Sequence, residues 1–258
     1  MRPDTVPDKL ESNINYKIIF AIIAAAVFLQ ISLYFLENEE QRNEIVYSIS
    51  ITSPLATSLT GFIIAKRYGS SKTFSKSYFA LGCGYLCTTI GEILYFVYEE
   101  ILRIEPYPSL ADVFFAALYP LILIHLIINV RFFKPKISLI EFLWMAAITI
   151  GITSTYIITS YSQIQEANFD FYYGILFTIE TAVILPFAIL GAKTFKSGLI
   201  GNAWLILVFA IIGFAIGDVW YYYLEVFDEY DLLHPVNLFW YAGYWIVIYA
   251  LYKHKKSI

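Results

Sequence analysis

Only two cysteines and three histidines occur in 258 residues, and that scarcity removes most metal and redox chemistry at the outset. Cys83 and Cys87 lie four apart in one apolar run and so share a helix face. Two thiols without a neighbouring histidine make a poor zinc site, and packing is the role expected of them. No histidine pair at helical spacing suggests haem, so no metal and no cofactor is expected. No lysine falls in the interior of an apolar run, which excludes a retinal Schiff base. The chain has no G-x-S-x-G, no glycine-rich phosphate loop and no Walker pattern, so covalent serine catalysis and nucleotide binding are not signalled. Charge is also sparse. Asp, Glu, Lys and Arg make up 15% of the chain, the net charge is -4, and no basic stripe points to nucleic acid.

What fills the chain instead is apolar and aromatic. Hydrophobic residues make up 59% and the mean hydropathy is +0.65, well beyond a soluble domain. Tyr and Phe together number 43 (22 + 21), a content suited to interfacial belts and an aromatic-lined cavity. Eight apolar segments stand out, at about 17–36, 46–65, 77–98, 110–130, 138–160, 171–192, 202–224 and 234–252. Each approaches the ~20 residues a helix needs to cross the hydrocarbon layer. Their continuous hydrophobicity lacks the strict alternation of barrel strands. The expected fold is therefore an all-α integral membrane protein of eight transmembrane helices, with Pro120 and Pro186 inside two of them.

The basic residues divide the loops. With the N-terminus inside, only Arg42 and Arg103 of the 17 Lys and Arg residues fall outside. The outer loops are acidic: Glu37, Glu39, Glu40 and Glu44; Glu99, Glu100 and Glu105; Glu166 and Asp170; Glu225, Asp228, Glu229 and Asp231. The positive-inside rule then puts both termini in the cytoplasm of a plasma-membrane protein. Residues 1–16 are polar and lack the pattern of a cleaved signal peptide, so the first apolar run is expected to be retained as a helix. The expected division is a cytoplasmic segment 1–16, a first unit 17–130, a second unit 138–252 and a basic tail 253–258.

The two units look like copies. At an offset of 126, Tyr47 aligns with Tyr173, Arg67 with Lys193, Ile90-Gly91-Glu92 with Ile216-Gly217-Asp218, Tyr95 with Tyr221 and Glu99 with Glu225. After one residue of slippage, Asp112 aligns with Asn237, Phe115 with Trp240 and Tyr119 with Tyr244. A four-plus-four duplication would relate the units as parallel repeats about an axis along the membrane normal.

Glu92 and Asp218 are the candidate site. An acid at membrane depth costs about 2.5–3.5 kcal/mol, so two at equivalent positions suggest function. Positions seven apart share a helix face. Glu92, Tyr95 and Glu99 should therefore form one stripe, and Asp218, Tyr221 and Glu225 another. Asp112 and Asn237 open the following helices and should complete an outward-facing acidic and aromatic cleft. Two structural roles compete with this. The buried acids could be protonated or bonded to tyrosine hydroxyls, holding the bundle together, and Ser109 with Asp112 forms a helix N-cap pattern. The glycines before the acids would let a neighbouring helix come close. His125 reads as a packing histidine, His234 as an outer-loop group near Asp231, and Glu180 as an isolated acid of open role.

Pro108-Ser109-Leu110-Ala111-Asp112 followed by Tyr119-Pro120-Leu121 resembles the P-S-x-A-D…Y-P-L signature of prokaryotic multi-helix sensor regions. Those regions precede diguanylate cyclase or histidine kinase domains. Gly91-Glu92 and Gly217-Asp218 near the ends of equivalent helices are similar to the lysoplasmalogenase membrane family, in which paired acids assist water in cleaving a vinyl-ether lipid. Three functions follow as expectations. The first is a ligand-binding or sensor-type module with a lipid or amphiphilic ligand and a membrane or cytoplasmic partner docking on the basic loops. The second is a lipid-ether hydrolase with Glu92 and Asp218 as catalytic base and acid. The third is a proton-coupled transporter.

Overall fold

A computed structural model describes residues 14–69, 71–164, 167–195, 199–226 and 230–257. Arg2, Lys9, Lys196, Glu166, Asp228 and Glu229, all used in the charge pattern above, lie outside the described residues. So do most of the segment 1–16 and Ile258. The described chain forms eight α-helices: α1 Tyr16–Tyr34, α2 Glu39–Arg67, α3 Lys72–Phe96, α4 Leu110–Phe133, α5 Leu139–Ile164, α6 Phe169–Thr194, α7 Leu199–Val226 and α8 Asn237–Ser257. A π-helical turn, Val97–Leu102, continues α3.

Several helices are longer than their apolar runs because polar first turns cap them. Asn38 receives the Gln41 N–H at 3.1 Å at the start of α2, where Glu39 and Glu40 meet the positive end of the helix dipole; Lys66 and Arg67 meet the negative end. Asn168 does the same for α6, taking the Phe171 N–H at 2.9 Å. The Ser109–Asp112 capping box is present: the Asp112 carboxylate accepts the Ser109 N–H at 2.6 Å. Pro54, Pro120 and Pro186 are accommodated inside α2, α4 and α6.

Seven of the eight helices, α1 to α7, are long and apolar enough to cross a membrane, the make-up of a multi-pass membrane protein. α8 falls short by this measure. Its apolar stretch ends at Tyr252, and Lys253, Lys255 and Lys256 occupy its last turns. The stretch expected to be a basic tail continues α8 as far as Ser257.

Six helices close into a ring by packing in the order α2, α3, α4, α6, α7, α8 and back to α2. α5 lies outside on α6 and α7, and α1 lies outside on α8. α1 is fastened at the acidic loop between α7 and α8: Gln30 Nε2 and the Tyr34 hydroxyl both donate to the Leu233 carbonyl, the latter at 2.8 Å.

The half of the ring near the basic loops is closely packed, with room for no more than about one water among Tyr78, Trp204, Leu251 and His254. Trp204, Tyr78, Leu81, Leu126 and Leu251 are fully buried there, and Trp204 stacks on His125 at 5.5 Å between ring centroids. His125 Nδ1 pairs with the Ser77 hydroxyl at 2.9 Å, so the expected packing role describes its contacts, although Nε2 has no protein partner among the described residues. The Tyr68 hydroxyl meets His254 Nε2 at 2.6 Å, and burial pushes that hydroxyl up to about 12. Cys83 and Cys87 are free and half-buried.

Candidate functional site

The opposite half of the ring is hollow. A cavity of about 560 Å³ opens among the ring helices toward the acidic loops. Its size falls in the ~300–1,000 Å³ range typical of small-molecule sites. Glu92 and Tyr95 reach it from α3, and Asp218, Tyr221, Tyr222 and Glu225 from α7. Asp112 and Tyr119 come from α4, Asp170 and Tyr173 from α6, Tyr47 from α2 and Tyr156 from α5. Asn237, Trp240, Tyr241 and Tyr244 line it from α8, and Glu105, Tyr107 and Tyr230 from the connecting loops. Six carboxylates and eleven tyrosines thus line one space, with no lysine, arginine or histidine among the described residues that form it.

Seven of the eight residues expected at the site share this cavity: Glu92, Asp218, Asp112, Asn237, Tyr95, Tyr221 and Glu225. Glu99 does not line it. The stripe expected for α3 assumed regular α geometry through Glu99, but the helix widens into the π turn from Val97. A π turn carries more residues per turn than an α turn, so positions seven apart no longer share a face. Glu99 instead accepts the Tyr47 hydroxyl at 2.5 Å, and Tyr47 is the group that reaches the cavity. α7 stays regular through Glu225, which keeps its own stripe of Asp218, Tyr221 and Glu225 intact.

The two central acids are engaged differently. Asp218 Oδ1 accepts the Trp240 indole N–H at 2.9 Å, Oδ2 accepts the Thr181 hydroxyl at 3.5 Å, and the Tyr119 hydroxyl lies beside the same group. No described side chain donates to Glu92. Repeat position alone would make them alike. Their neighbours do not: Trp240 on α8 serves Asp218, while its counterpart Phe115 on α4 has no N–H to offer Glu92.

The remaining acids are tied into the wall. Asp112 serves its own helix cap through Oδ2 and takes the Tyr173 hydroxyl on Oδ1 at 2.6 Å, so the capping role and a place in the cavity are both present. Asp170 accepts the Tyr107 hydroxyl at 2.8 Å. Burial, reinforced by that carboxylate, pushes the Tyr107 hydroxyl well above the ordinary tyrosine range, so it remains a donor. Asn237 is buried at the start of α8, donating to the Leu232 carbonyl at 2.9 Å and accepting from the Tyr230 hydroxyl at 3.3 Å. Glu180 is not among the lining residues, and its Oε2 has no protein partner among those described.

The glycines before the central acids set the helix spacing. A Cβ at Gly91 would stand 2.7 Å from the Phe115 ring, and one at Gly217 would stand 2.9 Å from the Phe239 Cβ. Glycine is what lets α4 and α8 approach the acid-bearing turns.

Sequence reasoning missed Glu105, Asp170, Tyr47 and the tyrosines of α8. Glu105 sits in a loop, whose path no periodicity gives, and Asp170 in the first turn of α6, where an acid is ordinary; Tyr173 was visible as the counterpart of Tyr47 but carried no site signal of its own. No protein-family model, no curated relative and no solved structure matches the chain.

Proposed function

We propose that this protein is a membrane ligand-binding module of the sensor type, whose ligand occupies the cavity between Glu92 and Asp218. One observation carries the reading: two acids read from the sequence as a pair line one cavity large enough for a small molecule. If the acids served only to fasten helices as ionised groups, both would be expected to have donors. Glu92 has none among the described residues.

In this reading all eight helices cross the membrane, α8 using its lysines at the cytoplasmic surface. Both termini face the cytoplasm, and the cavity opens outward from the plasma membrane. A four-plus-four duplication accounts for the closure of the ring, because the α4–α6 and α8–α2 contacts occupy equivalent places in such a repeat. The outer helices depart from it, α1 packing on α8 while α5 packs on α6 and α7. A protein partner would read the state of the cavity from the basic loops.

The lipid-ether hydrolase remains the second reading. The unlike engagement of the two acids favours it, because acid–base catalysis needs groups in different protonation states.

Native mass spectrometry with lipidomics on the gently purified protein separates these readings. A bound molecule present in wild type and lost in Glu92→Gln/Asp218→Asn supports a binding module. One that accumulates only in the double variant supports turnover. A cavity empty in both forms contradicts both.

A further inference from the structure

A cavity that gathers six carboxylates and no basic residue among the described residues has an unmet need for positive charge. Ionised carboxylates away from bulk water are costly unless a counter-charge or donors accompany them. Within the wall, Asp218, Asp112 and Asp170 receive hydrogen bonds. Glu92 does not, and it faces the space a ligand would fill.

The surroundings of Glu92 define the shape of the missing charge. Tyr95, Tyr230, Tyr241 and Tyr244 all lie within electrostatic reach of its carboxylate and all line the cavity. The Tyr241 residue is only 2% exposed, and its hydroxyl has no hydrogen-bond partner of normal geometry among the described residues. Aromatic faces around a carboxylate attract a diffuse, weakly hydrated cation through the ring quadrupole. A small hard ion calls for converging oxygen ligands instead. Among the described residues no three acids, histidines or cysteines converge in that way.

We propose that the cavity binds an organic ammonium group, seated on Glu92 within the tyrosine cage of Tyr95, Tyr230, Tyr241 and Tyr244. The proposal rests on the cavity being a ligand site. The ammonium comes either from a soluble amine or from a lipid headgroup. Glu105, exposed in the loop beside the cavity, adds negative charge on the side from which a soluble cation would enter.

The test is calorimetric titration of the full chain in phosphatidylglycerol nanodiscs with choline, tetraethylammonium and 3,3-dimethylbutanol, the uncharged isostere of choline. An ammonium probe should bind, and the neutral isostere should be at least tenfold weaker than choline. Glu92→Gln should weaken the cation at least tenfold, while Glu141→Gln at the far end of the bundle leaves it unchanged. Tyr241→Phe, which keeps the aromatic face, should bind as wild type and Tyr241→Leu should not. This pair also serves if Glu92→Gln fails to fold. Repeating the titration in phosphatidylcholine nanodiscs identifies the source: competition by the lipid marks a headgroup site, and unchanged affinity marks a soluble ligand. Equal binding of choline and its neutral isostere, or an undiminished Glu92→Gln, overturns the cation assignment while leaving a ligand cavity in place. Failure of every ammonium probe in both lipids, with a neutral or anionic molecule co-purifying, overturns the assignment in the same way. No binding of any probe and no co-purifying molecule overturns the cavity reading as well.

Discussion

Alanine at Gly91 and at Gly217 adds the same methyl group just before each central acid, yet the structure gives the two changes different consequences. Carbon atoms rest at about 3.5–4.0 Å. The Gly217 methyl would stand 2.9 Å from the Phe239 Cβ, an atom that moves only with the α8 backbone. Overpacking of this kind costs about 1–3 kcal/mol. Alanine regains up to ~1 kcal/mol of helix propensity over glycine, so Gly217→Ala should lose roughly 1–2 kcal/mol net. At Gly91 the overlap is with the Phe115 ring, 2.7 Å away, and Phe115 borders the cavity. The ring can turn into that open space. Gly91→Ala should therefore keep near-wild-type stability while partly filling the cavity. Gly151, where an added Cβ meets nothing within 4 Å, is the control, and Gly151→Ala should be neutral or stabilising by up to ~1 kcal/mol. Reversible unfolding in mixed micelles measures all three. The packing account is refuted if Gly217→Ala is as stable as wild type, or if Gly91→Ala is the more damaging.

Three further perturbations follow. Trp240→Phe keeps the ring but removes the 2.9 Å indole bond to Asp218, and it should cost about 1–3 kcal/mol in the same unfolding assay; no loss would mean that the bond is idle. Asp112→Ala removes both a helix cap and the acceptor for the Tyr173 hydroxyl, so it should be at least as costly as Tyr173→Phe, which removes the second alone, with the cap worth about 1 kcal/mol of the difference. The Tyr68 hydroxyl is pushed by burial up to about 12, above the ordinary tyrosine value near 10. The unfolded chain ionises this group first, so its contribution is full below pH ~10 and is lost as pH rises toward ~12. The thermal midpoint should fall across that window, and Tyr68→Phe should fall less steeply.

The sequence made the helices legible because eight long apolar runs leave the backbone little alternative. It also paired Glu92 with Asp218, since a carboxylate within such a run is conspicuous. Three features were hidden for separate physical reasons. Glu99 left the stripe because no residue pattern announced the π turn at Val97–Leu102. The unlike settings of Glu92 and Asp218 depend on which residue of the next helix faces each acid, a tertiary fact that repeat alignment cannot supply. The acids Glu105 and Asp170 and the tyrosines of α2 and α8 come together only when the ring closes, so their shared surface has no signature in any one segment.

A direct test of the central claim is the reactivity of a thiol placed in the cavity wall. With Cys83 and Cys87 replaced by serine, Ser50→Cys in α2 puts one thiol on the lining, and Ile150→Cys puts one on the exposed flank of α5 as a control. Trimethylammonium and sulfonate methanethiosulfonates of similar size would be added to sealed, oriented vesicles. The account predicts that Ser50→Cys reacts from the side of the acidic loops, at least tenfold faster with the cationic reagent, and that Glu92→Gln shrinks this preference. An inert Ser50→Cys, or equal rates with both reagents, would contradict a water-reachable, cation-favouring site.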